Sequence, residues 1–357
     1  MNAGFPGIIA IIVFCTAAPL GFGQHRYTIS DEDASGAGSP RVVVLRDNTA
    51  GVEAAVAPSE GGELSSYKVK FKGQTIELLY HARDYSPGPG FKGKAPLLWP
   101  AVGAQYPVGT IPAESCGDGS YHVAGRMYPM PCHGFARSLP WKEISRSADS
   151  HGARVTVELT DSESTHKYYP FAFHLDATYE ITYGHLTVDY AVKSDTSNSE
   201  PMIFSIGNHI AFKTPFLQGT DPGKMLFETQ SSVELLRNAA GVLSGEEKPR
   251  SFAKPEALDS FNAHVAIPLT GYRGEPFARL IDPQGMTLRL SQQASSSLPE
   301  PLVRFNILSG PKSEFFCPEP WFGVQNSFNT GKGLVKLNAG STWRWRLDLR
   351  IEGPPPG

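Results

Sequence analysis

Three short segments of this 357-residue chain set one ionisable side chain among glycine, proline and aromatic neighbours. They are Pro131-Cys132-His133-Gly134-Phe135-Ala136-Arg137, Ser205-Ile206-Gly207-Asn208-His209-Ile210-Ala211-Phe212 and Phe316-Cys317-Pro318-Glu319-Pro320-Trp321-Phe322-Gly323. His209 follows an apolar run and a Gly-Asn turn, which presents an imidazole at the rim of a sheet. Glu319 lies between two prolines, so its backbone is held extended and its carboxylate is aimed with little freedom. An imidazole that titrates near neutrality and a fixed carboxylate make an acid and a base. Taken singly, each also reads as ordinary structure: a hydrogen-bonded histidine, a rigid Pro-Glu-Pro loop. All three ionisable groups are expected at strand ends.

Other chemistries lack their motifs. Gly331-Lys332-Gly333 does not have the spacing of a phosphate-binding loop, and there is no G-x-S-x-G, HExxH or dinucleotide fingerprint. No cysteine pair has zinc-site spacing. Neither a metal nor an organic cofactor is therefore expected. With 40% apolar residues, 19% charged residues and a net charge of −3, the chain has no general attraction to nucleic acid or anionic membranes. The expected partner is a small molecule.

The elements that must position these groups are strands. From Thr342 to Ile351 apolar Trp343, Trp345, Leu347, Leu349 and Ile351 alternate with Arg344, Arg346, Asp348 and Arg350, a strand with one buried face. Phe173 to Thr182 and Leu186 to Lys193 flank a turn at Tyr183-Gly184-His185 and predict a hairpin. Further strands are expected at Arg41 to Arg46, Tyr67 to Phe71, Ile76 to Tyr80, Ala153 to Thr160, Met202 to Ile206, Val265 to Leu269, Phe277 to Ile281, Met286 to Ser291 and Val303 to Leu308. Thirty prolines and 36 glycines punctuate them and leave no convincing long helix. The expected fold is all-β, a large sandwich of antiparallel sheets. Ser86 to Pro96 and Pro107 to Pro131 read as long surface loops, where sites are usually built.

Residues 41–352 read as one domain, preceded by a polar linker at 24–40 and followed by a loose Pro-Gly tail at 353–357. The first 23 residues carry no charge and hold an apolar run within Gly7 to Leu20, too short to span a bilayer, so 1–23 reads as a cleavable signal peptide of an exported protein. Bulky Phe14 before Cys15 argues against a lipid anchor. Removal of the leader would leave Cys116, Cys132 and Cys317, read as three free, partly buried thiols in preference to a Cys116–Cys132 bridge.

Taken together, the three segments resemble the aldose 1-epimerase (galactose mutarotase) family, in its branch with an HGFAR signature. His133-Gly134-Phe135-Ala136-Arg137 followed by Trp141 is similar to that signature, Gly207-Asn208-His209 with Ala211-Phe212 to the branch's G-G-H-P-A-F, and Glu319-Pro320-Trp321-Phe322-Gly323 to its E-P-W-x-G. Ala95-Pro96-Leu97-Leu98-Trp99-Pro100-Ala101-Val102-Gly103 is similar to its A-P-x-L-F-P-x-V-G stretch. The order and spacing hold from about 95 to 350. The resemblance implies the antiparallel β-supersandwich of that family and a sugar as partner. It also implies ring opening and reclosure of a free hexose, with His209 as acid, Glu319 as base and His133 as a second catalytic histidine against the ring. Arg137, Asn208, Arg126 and Trp321 are the substrate-binding candidates, although Trp321 and Phe135 also read as core. Ala104 stands where the branch carries an arginine after V-G, and Arg126, in the long segment before His133, is the candidate to replace it. Ile210 replaces a proline, and Asn262-Ala263-His264-Val265 stands for D-A-L-I. The alternatives are a carbohydrate-binding protein without turnover, a hexose-6-phosphate 1-epimerase, and a polysaccharide-modifying enzyme on a similar sandwich.

Overall fold

The alternation around 342–351 is realised from Thr342 to Leu349. In the computed structural model of the chain, Thr342–Glu352 is a single strand that buries Trp343, Trp345, Leu347 and Leu349 and exposes Arg344 and Arg346. The structure describes residue 1 and residues 25–34, 39–82, 85, 92–110, 112, 116–252, 254–299 and 301–353. The expected signal peptide beyond Met1, the segment 86–91 of the first long loop and the last four residues of the tail lie outside the described residues.

Three sheets carry the fold. The largest has nine strands in the order Glu256–Ala257, Leu226–Thr229, Phe277–Asp282, Met286–Ala294, Thr342–Glu352, His185–Ser194, Phe173–Thr182, Ala153–Thr160, Lys142–Ala148. The second runs Leu243–Pro249, Val233–Arg237, Ile267–Thr270, Val303–Ser309, Phe315–Gly323, Ile206–Asn208, Leu97–Leu98, with Phe212–Lys213 also paired to Phe315–Gly323. The third is a meander of Tyr27–Asp33, Arg41–Asp47, Val52–Ala57, Glu63–Phe71 and Gln74–Glu77. Ladders between these strands are antiparallel. One hydrophobic cluster takes side chains from all three sheets, among them Tyr67, Trp345 and Phe322. Each such buried side chain contributes about 1.5–3 kcal/mol relative to exposure, and that shared core fixes the sheets against one another. Among the described residues the α-helices are two short turns, Glu163–His166 and Ser327–Thr330. The fold is all-β, as the alternation predicts.

Four expectations are corrected. The linker at 24–40 contains the strand Tyr27–Asp33, paired along its length with Arg41–Asp47. Its acidic residues meet distant arginines, Asp31 with Arg146 and Glu32 with Arg46, so a sequence polar by composition is ordered by partners far along the chain. The stretch 107–131 contains a hairpin, Gly119–Val123 with Arg126–Met130, turned by Ala124 and Gly125, both at positive φ. Cys116 and Cys132 form a disulfide across that hairpin, and Cys317 is a buried free thiol. Glu319 lies in the middle of its strand, not at the end: all nine residues of Phe315–Gly323 are buried.

Candidate active site

The segment 95–103 splints the three motifs together. Leu98 pairs with Gly207 and Leu97 with Asn208, while His209 N–H donates to Pro96 O (2.9 Å). Trp99 O accepts from Phe135 and Ala136 (3.0 and 3.1 Å), and Gly103 exchanges two bonds with His133: its N–H donates to Nδ1 (3.0 Å) and its O accepts from the His133 N–H (3.2 Å). Glycines make these approaches possible. A Cβ on Gly207 would meet Trp321 Cδ1 at 2.8 Å, and one on Gly134, at φ +70°, would meet Trp99 O at 2.1 Å.

The ladder itself sets His209 against Glu319. Ile206 and Gly207 pair with Phe322 and Trp321, and Phe212 and Lys213 pair with Phe316 and Phe315. The two ladders share one register, and carried across the gap between them it sets residue 209 opposite residue 319. In that gap the neighbouring backbone turns away, His209 N–H going to Pro96 and Ala211 N–H to Lys94 (2.9 Å). Pro318 and Pro320 occupy the matching stretch of the central strand, where a ladder donor on that side would have no partner. The side chains meet as a cross-strand pair, His209 Nε2 lying 3.5 Å from Glu319 Oε1.

Glu319 is clamped by two donors: Asn306 Nδ2 to Oε1 (3.2 Å) and Trp321 Nε1 to Oε2 (3.0 Å). Burial pushes its carboxyl up to about 8, opposed by those two hydrogen bonds and by the charges of Arg237 and Arg137. Burial pulls His209 down to about 4, and the Arg137 charge adds to it. Between about pH 4 and about pH 8 the pair therefore carries one proton, held mainly by Glu319, and the tautomer with that proton on His209 is the minor one. His133 is pulled well below the usual imidazole range by burial and by the Arg137 charge. As a neutral ring whose Nδ1 accepts from Gly103, it keeps its proton on Nε2 and serves as a hydrogen-bond donor. His133, Arg137 and His209 line a cavity of about 740 Å³, closed on other sides by Glu60, Glu63, Lys92 and Cys116. A depression of about 790 Å³ beside Tyr106, Leu235 and Gln325 is larger but lacks the His209–Glu319 pair, so the cavity over His209 is the candidate site.

The model of the aldose 1-epimerase family matches residues 41–263, more than half of the chain. The chain belongs to the aldose 1-epimerase family. Candidate glucose-6-phosphate 1-epimerases of Salmonella typhimurium LT2 and Escherichia coli K12 are 30% and 31% identical to it over 122 residues, 34% of this chain and of each relative. The match thus spans about a third of the length of these curated relatives. Among solved structures, a galactose mutarotase-like protein from Clostridium acetobutylicum superposes with a TM-score of 0.70 at 18% identity, covering 91% of this chain and 99% of that one. A galactose 1-epimerase from Lactobacillus acidophilus gives 0.64 at 17%, covering 93% and 100%. These likenesses establish the shared fold.

Within this epimerase fold the sequence-derived site residues separate into two groups. His209, Glu319, His133 and Arg137 converge on one place. Trp321 is buried and reaches the site through its bond to Glu319, with its ring edge-on to His133 at 6.0 Å between centroids. Asn208 faces inward: its Nδ2 donates to Ala95 O and Tyr190 OH (both 3.1 Å), so it fixes the turn before His209 and does not line the cavity. Arg126 is exposed on the 119–130 hairpin, its guanidinium over Tyr128 at 5.6 Å; it does not line the cavity, because the disulfide-closed hairpin carries it outward. The buried Ala104 brings no charge. Arg237 and Asn306 were missed. Asn306 is a buried amide between Phe305 and Ile307 in the strand Val303–Ser309, and Arg237 closes the run Leu235-Leu236; a polar group at an inward strand position was the available signal.

Proposed function

We propose that this epimerase interconverts the α and β anomers of a free hexose, with Glu319 and His209 sharing the proton that the reaction moves. Glu319 takes the proton of the C1 hydroxyl as the C1–O5 bond breaks, and the bonding pair passes to O5. His209 delivers its proton to O5, giving the open-chain aldehyde. After rotation about C1–C2 the same two groups reverse roles and close the ring on the other face. Atoms and charges balance without a co-reactant, and His133 Nε2–H and Arg137 hold the sugar's oxygens.

The observation that carries this reading is the His209–Glu319 contact, a cross-strand pair at 3.5 Å beneath a cavity large enough for a hexose. General acid–base groups so placed contribute roughly 10²–10⁴-fold. Polarimetry of fresh α-glucose and α-galactose tests it. The decay of rotation should accelerate, with a bell-shaped rate between about pH 4 and about pH 8, where the pair holds one proton. No acceleration by folded protein sinks the proposal; calorimetric sugar binding without acceleration would leave a carbohydrate-binding protein.

Glucose 6-phosphate is the second reading, favoured by the curated relatives and by Lys92 and Arg137 in the cavity wall. Glu60 in the same wall opposes a phosphate, and Glu63, which burial pushes up to about 8, offers it no cation, which is why a neutral hexose is preferred. Anomerisation of glucose 6-phosphate but not glucose, followed by NMR, would reverse that choice. Export belongs to the same proposal. It is supported by the apolar stretch Gly7 to Leu20 and by the Cys116–Cys132 disulfide, a bond that persists in oxidising compartments. Recovery of the protein from the cytosol with reduced thiols would remove it.

A further inference from the structure

Arg237 ends the strand Val233–Arg237 with its guanidinium held on several sides. Nη1 donates to Gly241 O (2.7 Å) and Gln325 Oε1 (3.0 Å), Nε to Ala266 O (3.2 Å) and Nη2 to Asn306 Oδ1 (3.3 Å). All four acceptors are neutral. A half-buried cation served only by neutral groups is costly to hold, and the carboxylate its charge acts on is Glu319. The connection is a single amide, since Asn306 accepts from Arg237 at Oδ1 and donates from Nδ2 to Glu319 Oε1 at 3.2 Å. Arg237 does not line the cavity under which the acid–base pair sits.

We propose that Arg237 is a positioning residue for the general base. Acting through Asn306, it favours the ionised, proton-accepting form of Glu319 and supplies the positive charge that Ala104 does not. The inference rests on the mutarotase reading above. The ionisable groups facing Glu319 are His209, Arg137, Arg237 and Cys317, and those facing Arg237 are Glu319, Tyr106 and His133. Of these, Arg237 is tied to the base through a shared amide. The direction agrees with the electrostatics, because burial pushes the Glu319 carboxyl up and the Arg237 charge, more than that of Arg137, holds it down.

The test compares wild type with Arg237→Gln, Arg237→Lys and Arg237→Met, reading mutarotation against pH and, independently of turnover, titrating the Glu319 carboxyl by ¹³C NMR. Loss of a cation at this range moves a carboxylate by about one unit. Arg237→Gln should therefore move the alkaline limb of the bell upward by about one pH unit and lower its maximum about tenfold, because the reactive tautomer becomes rarer. Arg237→Lys keeps the charge and should return the profile most of the way to wild type. A merely structural role would lower the rate at every pH without moving the bell, and that result overturns the inference. Should Arg237→Gln fail to fold, Arg237→Met keeps the length of the side chain without its charge, leaves the direct Asn306–Glu319 bond in place, and must show the same upward shift. Absence of turnover in wild type would count against the mutarotase reading, and the NMR titration would still decide the role of Arg237: an unmoved Glu319 resonance midpoint in folded variants refutes it.

Discussion

Replacing Glu319 by glutamine should abolish turnover and raise stability together, with the gain growing as pH rises. The carboxyl ordinarily titrates near 4.5 and burial pushes it to about 8. A group raised in this way leaves folding unpenalised below about pH 4.5 and destabilises progressively as pH climbs toward 8, because the unfolded chain releases the proton and the folded one keeps it. At about 1.4 kcal/mol per pH unit the cost at pH 7 is roughly 3 kcal/mol. Glutamine removes that cost but cannot accept from both Asn306 and Trp321, and a mismatched buried donor costs about 1 kcal/mol. The net is roughly 2 kcal/mol, or a Tm about 3 °C higher at pH 7 for a chain of this size, and slightly lower than wild type at pH 4.5. Melting curves at half-unit intervals from pH 4.5 to 8, with polarimetry on the same samples, read both effects. Turnover should fall by roughly 10²-fold or more. A Tm difference that does not depend on pH would falsify the desolvation argument, and retained turnover would remove Glu319 as the base.

Trp321→Phe deletes the donor to Glu319 Oε2 while keeping most of the buried ring; kcat should fall roughly tenfold with little change in KM, as expected for an interaction that matters in the transition state, and an unchanged kcat would assign the indole to packing alone. Cys116→Ser/Cys132→Ser opens a loop of sequence separation 16, worth about 3 kcal/mol in the chain-entropy model. Because Cys132 O accepts from Arg137 and Cys132 precedes His133, the double variant should also raise KM severalfold; an unchanged KM would uncouple the disulfide from the site. Arg126→Ala should leave kcat and KM within about twofold, given its exposed place over Tyr128, and a large rise in KM would return Arg126 to the substrate.

What was legible in the sequence is what local pattern encodes. Ala153–Thr160 matches its expected bounds residue for residue, and Phe173–Thr182 with His185–Ser194 forms the expected hairpin around Tyr183 and Gly184, because period-two alternation is written within each strand. The parts that were not legible depend on distant partners. Tyr27–Asp33 reads as a polar arm until Arg46 and Arg146 are set beside it. Arg237 has no visible role in its own segment and acquires one only where Asn306, Gln325 and Glu319 converge on it. Arg126 illustrates the opposite error: proximity in sequence to His133 suggested proximity in space, and the intervening disulfide-closed hairpin reversed it.

Pro318-Glu319-Pro320 is the instructive case, because local reasoning was right about stiffness and wrong about place. Prolines argue against the centre of a sheet, since a ladder donor is missing, yet the glutamate, expected at a strand end, lies at the middle of its strand. The structure resolves the conflict by interrupting the neighbouring strand instead. Ile206–Asn208 and Phe212–Lys213 hold one register on either side of the gap, and the backbone between them donates its hydrogen bonds to the Lys94 and Pro96 carbonyls. The gap therefore accommodates the prolines and lets His209 sit in the facing position 3.5 Å from Glu319. The motif around His209 and the motif around Glu319 are thus two halves of one departure from regular pairing. The Lys94–Gly103 segment supplies the carbonyls that accept in place of the missing ladder, and it also fixes the tautomer of His133. On this account its role is structural, and it follows that charge at position 104 is dispensable for assembling the acid–base pair.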